Sequence, residues 1–273
     1  MELVIEVTDH CNNNCIHCSS DSGRSRVTFL PVRVIDRAID EVKPSTIILS
    51  GGEPFLHPRI ADIINAAKSA GARLAINTCG VVRHENIPPN FNKVDEFYVS
   101  WFGEARNVTR FLPPLGFVHP FDVVMVAKRL GIKAWINTVV IGAWQILDLP
   151  RACFDLGAPL HVMRLVSHGR ATELKVLSLQ QQRAIATAMI NQLDPAKAIK
   201  RPPAFLCRHV EEVLPDDVER LETIHPSCKM SHSLVPGECR SAEKRTLLSD
   251  GRLIGCVAGK GRDESLGKYR ACD

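Results

Sequence analysis

Leu3-Val-Ile-Glu-Val7 reads as a hydrophobic strand, and it runs almost directly into Cys11-Asn-Asn-Asn-Cys15-Ile-His-Cys18. Three thiols stand within eight residues, with no fourth cysteine close by in the sequence. Iron–sulfur clusters are usually held by four cysteines, so a tight trio leaves one iron open to a chelating small molecule. The spacing departs from the common structural zinc patterns, which join two C-x-x-C units or a cysteine pair and a histidine pair. His17 inside the motif keeps zinc as the competing reading.

Further along, the β-branched run Thr46-Ile-Ile-Leu49 leads into Ser50-Gly51-Gly52-Glu53-Pro54, and a helical pattern opens near His57. Two glycines allow the backbone to approach a ligand closely, and Glu53 offers an acceptor for a ligand ammonium. Alone, this turn is an ordinary strand-to-helix loop. Placed after the cysteine trio, at the end of the next strand, it points to one shared site. The pattern then repeats. Arg73–Asn77, Val94–Ser100, Lys133–Val140 and His161–Val166 read as further strands, while Val32–Val42, Pro58–Ala70, Pro120–Leu130 and Ile146–Leu156 carry apolar residues at helical spacing. Gly71, Gly131 and Gly157 are the expected helix stops. Strands alternating with helices argue for parallel βαβ units.

C-x3-C-x2-C followed by Gly-Gly-Glu-Pro resembles the radical S-adenosylmethionine (radical SAM) superfamily. The resemblance implies an α/β fold, a partial (β/α)6 TIM-like barrel, with reactive groups at the carboxyl ends of its strands. It implies that Cys11, Cys15 and Cys18 ligate a [4Fe-4S] cluster whose open iron is chelated by S-adenosyl-L-methionine. Gly51, Gly52 and Glu53 would then hold the methionyl amine, and His17 would lie near the adenine. Ser100 and Asn137 match cofactor-contacting positions on strands four and five, with strand-end caps as the plainer alternative. Arg164 matches a strand-six arginine that pairs with the carboxylate; flanked by apolar residues, it needs an anion, because a buried unpaired charge is costly. The family's reaction is transfer of one electron into the sulfonium, giving methionine and a 5′-deoxyadenosyl radical that abstracts hydrogen. A reductant such as flavodoxin or ferredoxin is implied.

Cys79, in Asn77-Thr-Cys-Gly80, replaces an asparagine frequent in such relatives. It reads either as a small buried apolar residue or as a hydrogen-atom donor to a substrate radical. Cys153 reads as core. The stretch Phe102–His119 is long for a loop in a compact domain, and loops of that length tend to be functional, so substrate contacts are expected there.

The tail reads separately. Within Cys239-Arg-Ser-Ala-Glu-Lys-Arg-Thr-Leu-Leu-Ser-Asp-Gly-Arg-Leu-Ile-Gly-Cys256, Thr246–Leu248 and Leu253–Cys256 form a hairpin around Ser249-Asp-Gly251, Asp-Gly being a strong hairpin signal. This resembles the auxiliary-cluster domain called twitch, the shortened relative of SPASM; the C-x2-C-x5-C-x3-C series of a full SPASM domain is absent. The resemblance implies one second [4Fe-4S] cluster. Cys239, Cys256 and Cys272 are its expected ligands, with Cys228, Cys207 or the substrate as the fourth. Tetrahedral zinc is the alternative for four thiolates. The expected division is a barrel core over 1–195 and, over 196–273, a bridging helix with a small β-hairpin/helix auxiliary-cluster domain. Helical patterns at Leu179–Leu193 and His209–Thr223 flank the boundary stretch Asp194–Pro203.

The chain has 273 residues, enough for one barrel core and an appendage. It contains no apolar run of membrane-spanning length and no signal peptide before the first strand. Ten cysteines clustered without a secretion signal argue for metal in a reducing compartment, so a cytoplasmic protein without membrane contact is expected. The net charge of +4 is modest and the large aromatics are scattered, which argues against nucleic acid. The leading expectation is an oxidoreductase acting on a small polar substrate, a dehydrogenase whose auxiliary cluster takes an electron. Peptide maturation by thioether formation or epimerisation is the alternative. Many such enzymes carry an amino-terminal recognition domain, for which a barrel beginning at Glu2 leaves no room. A non-enzymatic iron–sulfur or zinc protein is the third class, and the Gly-Gly-Glu-Pro turn counts against it.

Overall fold

The computed structural model describes residues 1–102, 118–189, 228–230, 244–254 and 265–268, apart from 24, 26, 144, 164, 166–168, 175–176, 179–180, 183 and 187. Strands and helices alternate as β1 (Glu2–Glu6), α1 (Val32–Val42), β2 (Thr46–Ser50), α2 (Ile60–Ser69), β3 (Arg73–Thr78), β4 (Glu96–Ser100), α3 (Pro120–Arg129), β5 (Lys133–Val139), α4 (Gln145–Leu156) and β6 (Leu160–Met163). Four short strands follow: β7 (Cys228–Met230), β8 (Lys244–Leu247), β9 (Arg252–Ile254) and β10 (Ser265–Lys268). The sheet order is β10-β9-β8-β1-β2-β3-β4-β5-β6-β7. From β8 through β7 every neighbour is parallel, so eight parallel strands form the partial barrel wall, and β9 and β10 extend it antiparallel.

The helices form where the apolar spacing places them. On α1, Val34, Ile35, Ala38 and Ile39 face inward, and Lys43 in a left-handed conformation ends the helix by donating to the Ile39 carbonyl. Pro120 opens α3, where His119 accepts from the Phe121 N–H and Asp122 accepts from the His119 N–H, a reciprocal cap. Gly71, Gly131 and Gly157 follow helices as expected.

Alternation along the strands separates two apolar clusters. Leu3, Ile5, Ile47, Leu49, Leu74, Ile76, Phe97, Val99, Ile136 and Leu160 belong to the large core with the helices. On the opposite face Ala75, Tyr98 and Trp135 pack with Ile48 inside the barrel. At the amino end of β4, buried Glu96 accepts from Arg73, Tyr98 and the Trp135 indole N–H, and Lys133 lies 4.3 Å over the Trp135 ring. These side chains fill the barrel interior at the amino end of the strands.

Several boundaries differ from expectation. β4 starts at Glu96 rather than Val94, because Phe91–Lys93 closes a 3₁₀ turn that Val94 ends. β6 stops at Met163, and Arg164 lies outside the described residues. The tail hairpin is present, with Thr246 opposite Ile254 and Leu247 opposite Leu253. Gly251 turns it at φ 81°, and Leu248 donates to the Arg252 carbonyl. The described part of the return strand is Arg252–Ile254, and Cys256 lies outside the described residues. The hairpin's placement was not foreseen: β8 lies parallel on the outer edge of β1, with Glu2 opposite Lys244 and Ile5 opposite Leu247.

Candidate active site

The cysteine loop leaves the carboxyl end of β1 and is tied at its root. Thr8 Oγ1 donates to the Thr28 carbonyl at 2.6 Å, the Gly23 N–H to Asp9 O at 3.1 Å, and the Cys11 N–H to Gly23 O at 3.2 Å. Cys11 is buried and Cys15 and Cys18 are half-buried. The Asn13 N–H donates to Cys11 Sγ at 3.4 Å, and the Cys18 N–H to Cys15 O at 3.3 Å. Burial, then the charge on Glu53, pushes the Cys11 thiol up to about 12. Burial, then Cys18, does the same to Cys15, also to about 12, while Arg170 pulls it down. Such thiols stay protonated until a metal displaces the protons.

The Gly-Gly turn rests on this loop. The Gly52 N–H donates to Thr8 O at 2.7 Å and the Glu53 N–H to His10 O at 2.9 Å. A Cβ on Gly52 would stand 2.0 Å from His10 O, and one on Gly51, at φ 120°, would stand 2.3 Å from Thr8 O. Both glycines are therefore required by the close approach of the two loops' backbones, before any ligand is considered.

Glu53 is wholly buried. One carboxylate oxygen accepts from the Phe55 N–H at 3.2 Å and the Thr78 hydroxyl at 2.8 Å; the other accepts from the Cys79 N–H at 2.7 Å. Burial raises its pKa, and the Cys79, Thr78 and Phe55 hydrogen bonds oppose that rise. Its partners among the described residues are neutral, so the carboxylate has no cation there and is suited to receive one. Cys79 sits at the end of β3, its Sγ 3.8 Å from Asn12 Oδ1. Burial, then Glu53, raises its pKa well above the ordinary thiol value, so the S–H is retained at neutral pH.

His17 is buried against Phe102, ring centroids 4.1 Å apart, and its Nδ1 has no hydrogen-bond partner among the described residues. Burial, then Arg170, lowers its pKa to about 4, so the ring is neutral. Ser100 ends β4 opposite Asn137 of β5, and Asn137 Oδ1 lies 2.9 Å from the His161 Nδ1 on β6. Asn77 Nδ2 reaches the Ser50 hydroxyl at 3.5 Å. Cys153 is core, as read.

Two residues that sequence reasoning passed over, Gly169 and Arg170, bind the cysteine loop from the far side. Arg170 Nε donates to the Cys15 carbonyl at 2.9 Å, and its Nη1 to Asp21 Oδ1 at 3.0 Å. Its own N–H donates to the Cys18 carbonyl at 3.0 Å. Gly169, at φ 57°, has no room for a Cβ, which would meet Cys18 O at 2.5 Å. The Gly-Arg pair after β6 was the available signal, and only the tertiary contact gives it meaning.

The donor set fits a thiolate-bound cluster with a cationic ligand beside it. Three cysteines share one loop, and beside it lie a buried carboxylate and an imidazole nitrogen that have, among the described residues, no cation and no hydrogen-bond partner respectively. Among the described residues no three His, Cys, Asp or Glu side chains converge on one point, Cys11, Cys15 and Cys18 included.

The model of the radical SAM superfamily matches residues 5–151, more than half of the chain. The chain belongs to the radical SAM superfamily. The family's cofactors, a [4Fe-4S] cluster and S-adenosylmethionine, are the cofactors of this enzyme. The chain is 25% identical over 279 residues to the GTP 3',8-cyclase of Aquifex aeolicus, across 96% of this chain and 83% of that protein. It is 31% identical over 183 residues to the AdoMet-dependent heme synthase of Methanosarcina barkeri, across 62% of this chain and 51% of that protein. It is 24% identical over 181 residues to the mycofactocin maturase MftC of Mycobacterium tuberculosis, across 63% of this chain and 46% of that protein. It therefore spans about half the length of the last two. Among solved structures, Streptococcus suis SuiB bound to the precursor peptide SuiA superposes with a TM-score of 0.70 at 16% identity, over 98% of this chain and 61% of SuiB. That likeness is one of fold.

No helix among the described residues is long and apolar enough to cross a membrane. Cys239, Cys256, Cys272 and Cys207 lie outside the described residues, as do Arg164, 103–117 of the expected substrate loop, the boundary stretch 194–203 and the helix expected at 209–223. Of the Leu179–Leu193 helix, residues 181–182, 184–186 and 188–189 are described, and they are helical. Cys228 opens β7 opposite Leu160, at the amino end of the barrel wall.

Proposed function

We propose that this chain cleaves S-adenosylmethionine reductively and removes hydrogen from a small polar substrate, giving net oxidation. The observation that supports it most is Glu53: a wholly buried carboxylate, pinned beside the cysteine loop, whose described partners are all neutral. Cys11, Cys15 and Cys18 would hold the cluster. When bound and reduced, the cluster supplies the electron that splits the sulfonium into methionine and a 5′-deoxyadenosyl radical. Gly51, Gly52 and Glu53 would hold the methionyl amine, Arg164 its carboxylate, Ser100 and Asn137 the remaining polar groups, and His17 the adenine. Tyr98, Trp135 and Glu96 fill the barrel below and keep water from the reacting atoms. Cys239, Cys256 and Cys272, with Cys228, Cys207 or the substrate as the fourth ligand, would hold an auxiliary cluster over 196–273, whose chemistry there would be acceptance of the second electron of the oxidation, with a proton released to solvent. Flavodoxin or ferredoxin would serve as reductant, in the cytoplasm.

Peptide maturation is the second reading, favoured by Cys79. A thiol kept protonated at the end of β3 can hand a hydrogen atom to a substrate radical, as an epimerase requires. The likeness to SuiB, a structure with its precursor peptide, agrees with a peptide substrate.

The test is anaerobic incubation of reconstituted protein with reductant and S-adenosylmethionine, scored for methionine and 5′-deoxyadenosine. Wild-type chain should form both, and the Cys11→Ala/Cys15→Ala/Cys18→Ala variant neither. About eight irons per wild-type chain, falling to about four in that variant, would support two cubes. Cleavage at the wild-type rate without the three cysteines would overturn the assignment, and four irons with zinc in the tail would remove the support for net oxidation.

A further inference from the structure

The segment after β6 closes on the cysteine loop from a point more than 150 residues away in the chain. Its grip is specific. Arg170 uses its backbone N–H on the Cys18 carbonyl, its Nε on the Cys15 carbonyl and its Nη1 on Asp21. Gly169 lets that backbone press against the loop, since a Cβ there would lie 2.5 Å from Cys18 O, 2.7 Å from Ser19 O and 2.8 Å from Asp21 N. Asp21 itself is a non-glycine residue at φ 52°, a conformation that Asp tolerates better than most and that the Arg170 contact holds in place. The side chain of Arg170 is largely covered, at 21% exposure, and that of Asp21 is more open at 38%.

A guanidinium does not lose its proton in a protein. A partly buried positive charge, bonded to the Cys15 carbonyl within the cysteine loop, acts on whatever the loop's sulfurs carry. Cluster potentials follow net charge, hydrogen bonding and solvent exposure. Reduction adds one negative charge, so a fixed cation favours the reduced form, and the Asp21 carboxylate partly cancels it.

We infer that Arg170 is a positioning residue that locks the cluster loop, and that the Arg170–Asp21 pair sets the reduction potential of the cluster held there. Arg170 raises the potential and Asp21 lowers it. The inference rests on Cys11, Cys15 and Cys18 holding the cluster. Failure of that premise shows itself separately, as iron content unchanged when the three cysteines are removed.

The experiment is a redox titration of the anaerobically reconstituted full chain, following by electron paramagnetic resonance the reduced signal that changes when S-adenosylmethionine is added. Arg170→Gln should lower the reduced-to-oxidised ratio about tenfold at a fixed potential, which for one electron is about 59 mV. Arg170→Lys, which keeps the charge, should stay close to wild type. Asp21→Asn should move the potential the opposite way. An unchanged potential in Arg170→Gln, or equal shifts in Arg170→Gln and Arg170→Lys, would overturn the charge argument. If Arg170→Gln takes up no iron, Asp21→Asn decides: a positive shift supports the inference, and no shift or a negative one refutes it.

Discussion

Replacing Glu53 by glutamine keeps the side-chain shape and removes the charge, which makes it the sharpest probe of the cofactor site. The Oε1 position serves the Phe55 N–H and the Thr78 hydroxyl, so the amide oxygen is best kept there. The amide NH₂ must then face the Cys79 N–H, which now bonds Oε2 at 2.7 Å. Two donors would confront each other, and the Cys79 N–H would lose a charge-assisted bond. Relief from burying an unneutralised carboxylate offsets part of that loss, because burial already raises the Glu53 pKa. Fold stability should therefore fall by only about 1–2 kcal/mol. Binding of S-adenosylmethionine should suffer more. An ammonium seated against this carboxylate loses a charged hydrogen bond worth roughly 1.5–3 kcal/mol, equivalent to about a ten- to hundredfold weaker Kd. Equilibrium dialysis against the reconstituted protein, run beside thermal melting, separates the two effects. Thr78→Val is the control, since it removes one donor to the same carboxylate and leaves the charge. A Glu53→Gln variant that binds as tightly as wild type would refute the role of Glu53 as the amine's partner and return it to holding β3 against the Gly-Gly turn.

Gly52→Ala should cost on the order of 3 kcal/mol and lower iron uptake, because the new Cβ would meet His10 O at 2.0 Å, next to the first cysteine. Gly71→Ala, whose Cβ meets nothing within 4 Å, should cost only about 1 kcal/mol for its positive φ; equal iron loss in both would contradict the steric account. Stability should also fall in acid through histidines kept neutral chiefly by burial. His57 and His119 have pKa values below the usual 6.5, and His17 is lowered to about 4. The folded state binds fewer protons than the unfolded one below pH 6.5, so this contribution is complete above 6.5 and drains as pH drops through the folded values. His57 accepts from the Arg59 N–H and reaches the Leu30 carbonyl, so His57→Gln should flatten the fall in urea midpoint between pH 7 and pH 5. An undiminished slope in that variant would remove His57 from the explanation.

Much of the barrel was legible because its periods are local. Helical spacing marked α1 to α4 within a residue or two of their ends, and the short apolar stretches between them marked β1 to β6. The Asp250-Gly251 turn announced the hairpin for the same reason: its geometry is decided by adjacent residues. The edge to which the hairpin attaches was not legible. Pairing of Glu2 with Lys244 and of Leu3 with Arg245 joins strands some 240 residues apart, and nothing in either segment's periodicity names its neighbour.

The candidate site divides along the same line, and the division explains what each glycine and charge is for. Cys11, Cys15, Cys18 and the Gly-Gly-Glu-Pro turn are local motifs, so their chemistry could be read directly. Their mutual dependence could not. Gly52 looks like a ligand-approach glycine in sequence, yet its missing Cβ is first of all the space occupied by His10 O. Glu53 looks like a free acceptor, yet it holds Thr78 and Cys79 as well. Arg170 looks like a surface arginine after a short strand, yet it closes the cysteine loop through Cys15, Cys18 and Asp21. The loop after β1, the turn after β2, the end of β3 and the segment after β6 thus brace one another. A change that shifts any one of them moves the cysteines, so iron content and loop geometry should fail together in variants of Gly52 and Gly169, whereas Glu53→Gln should part from them by keeping its iron and losing its ligand.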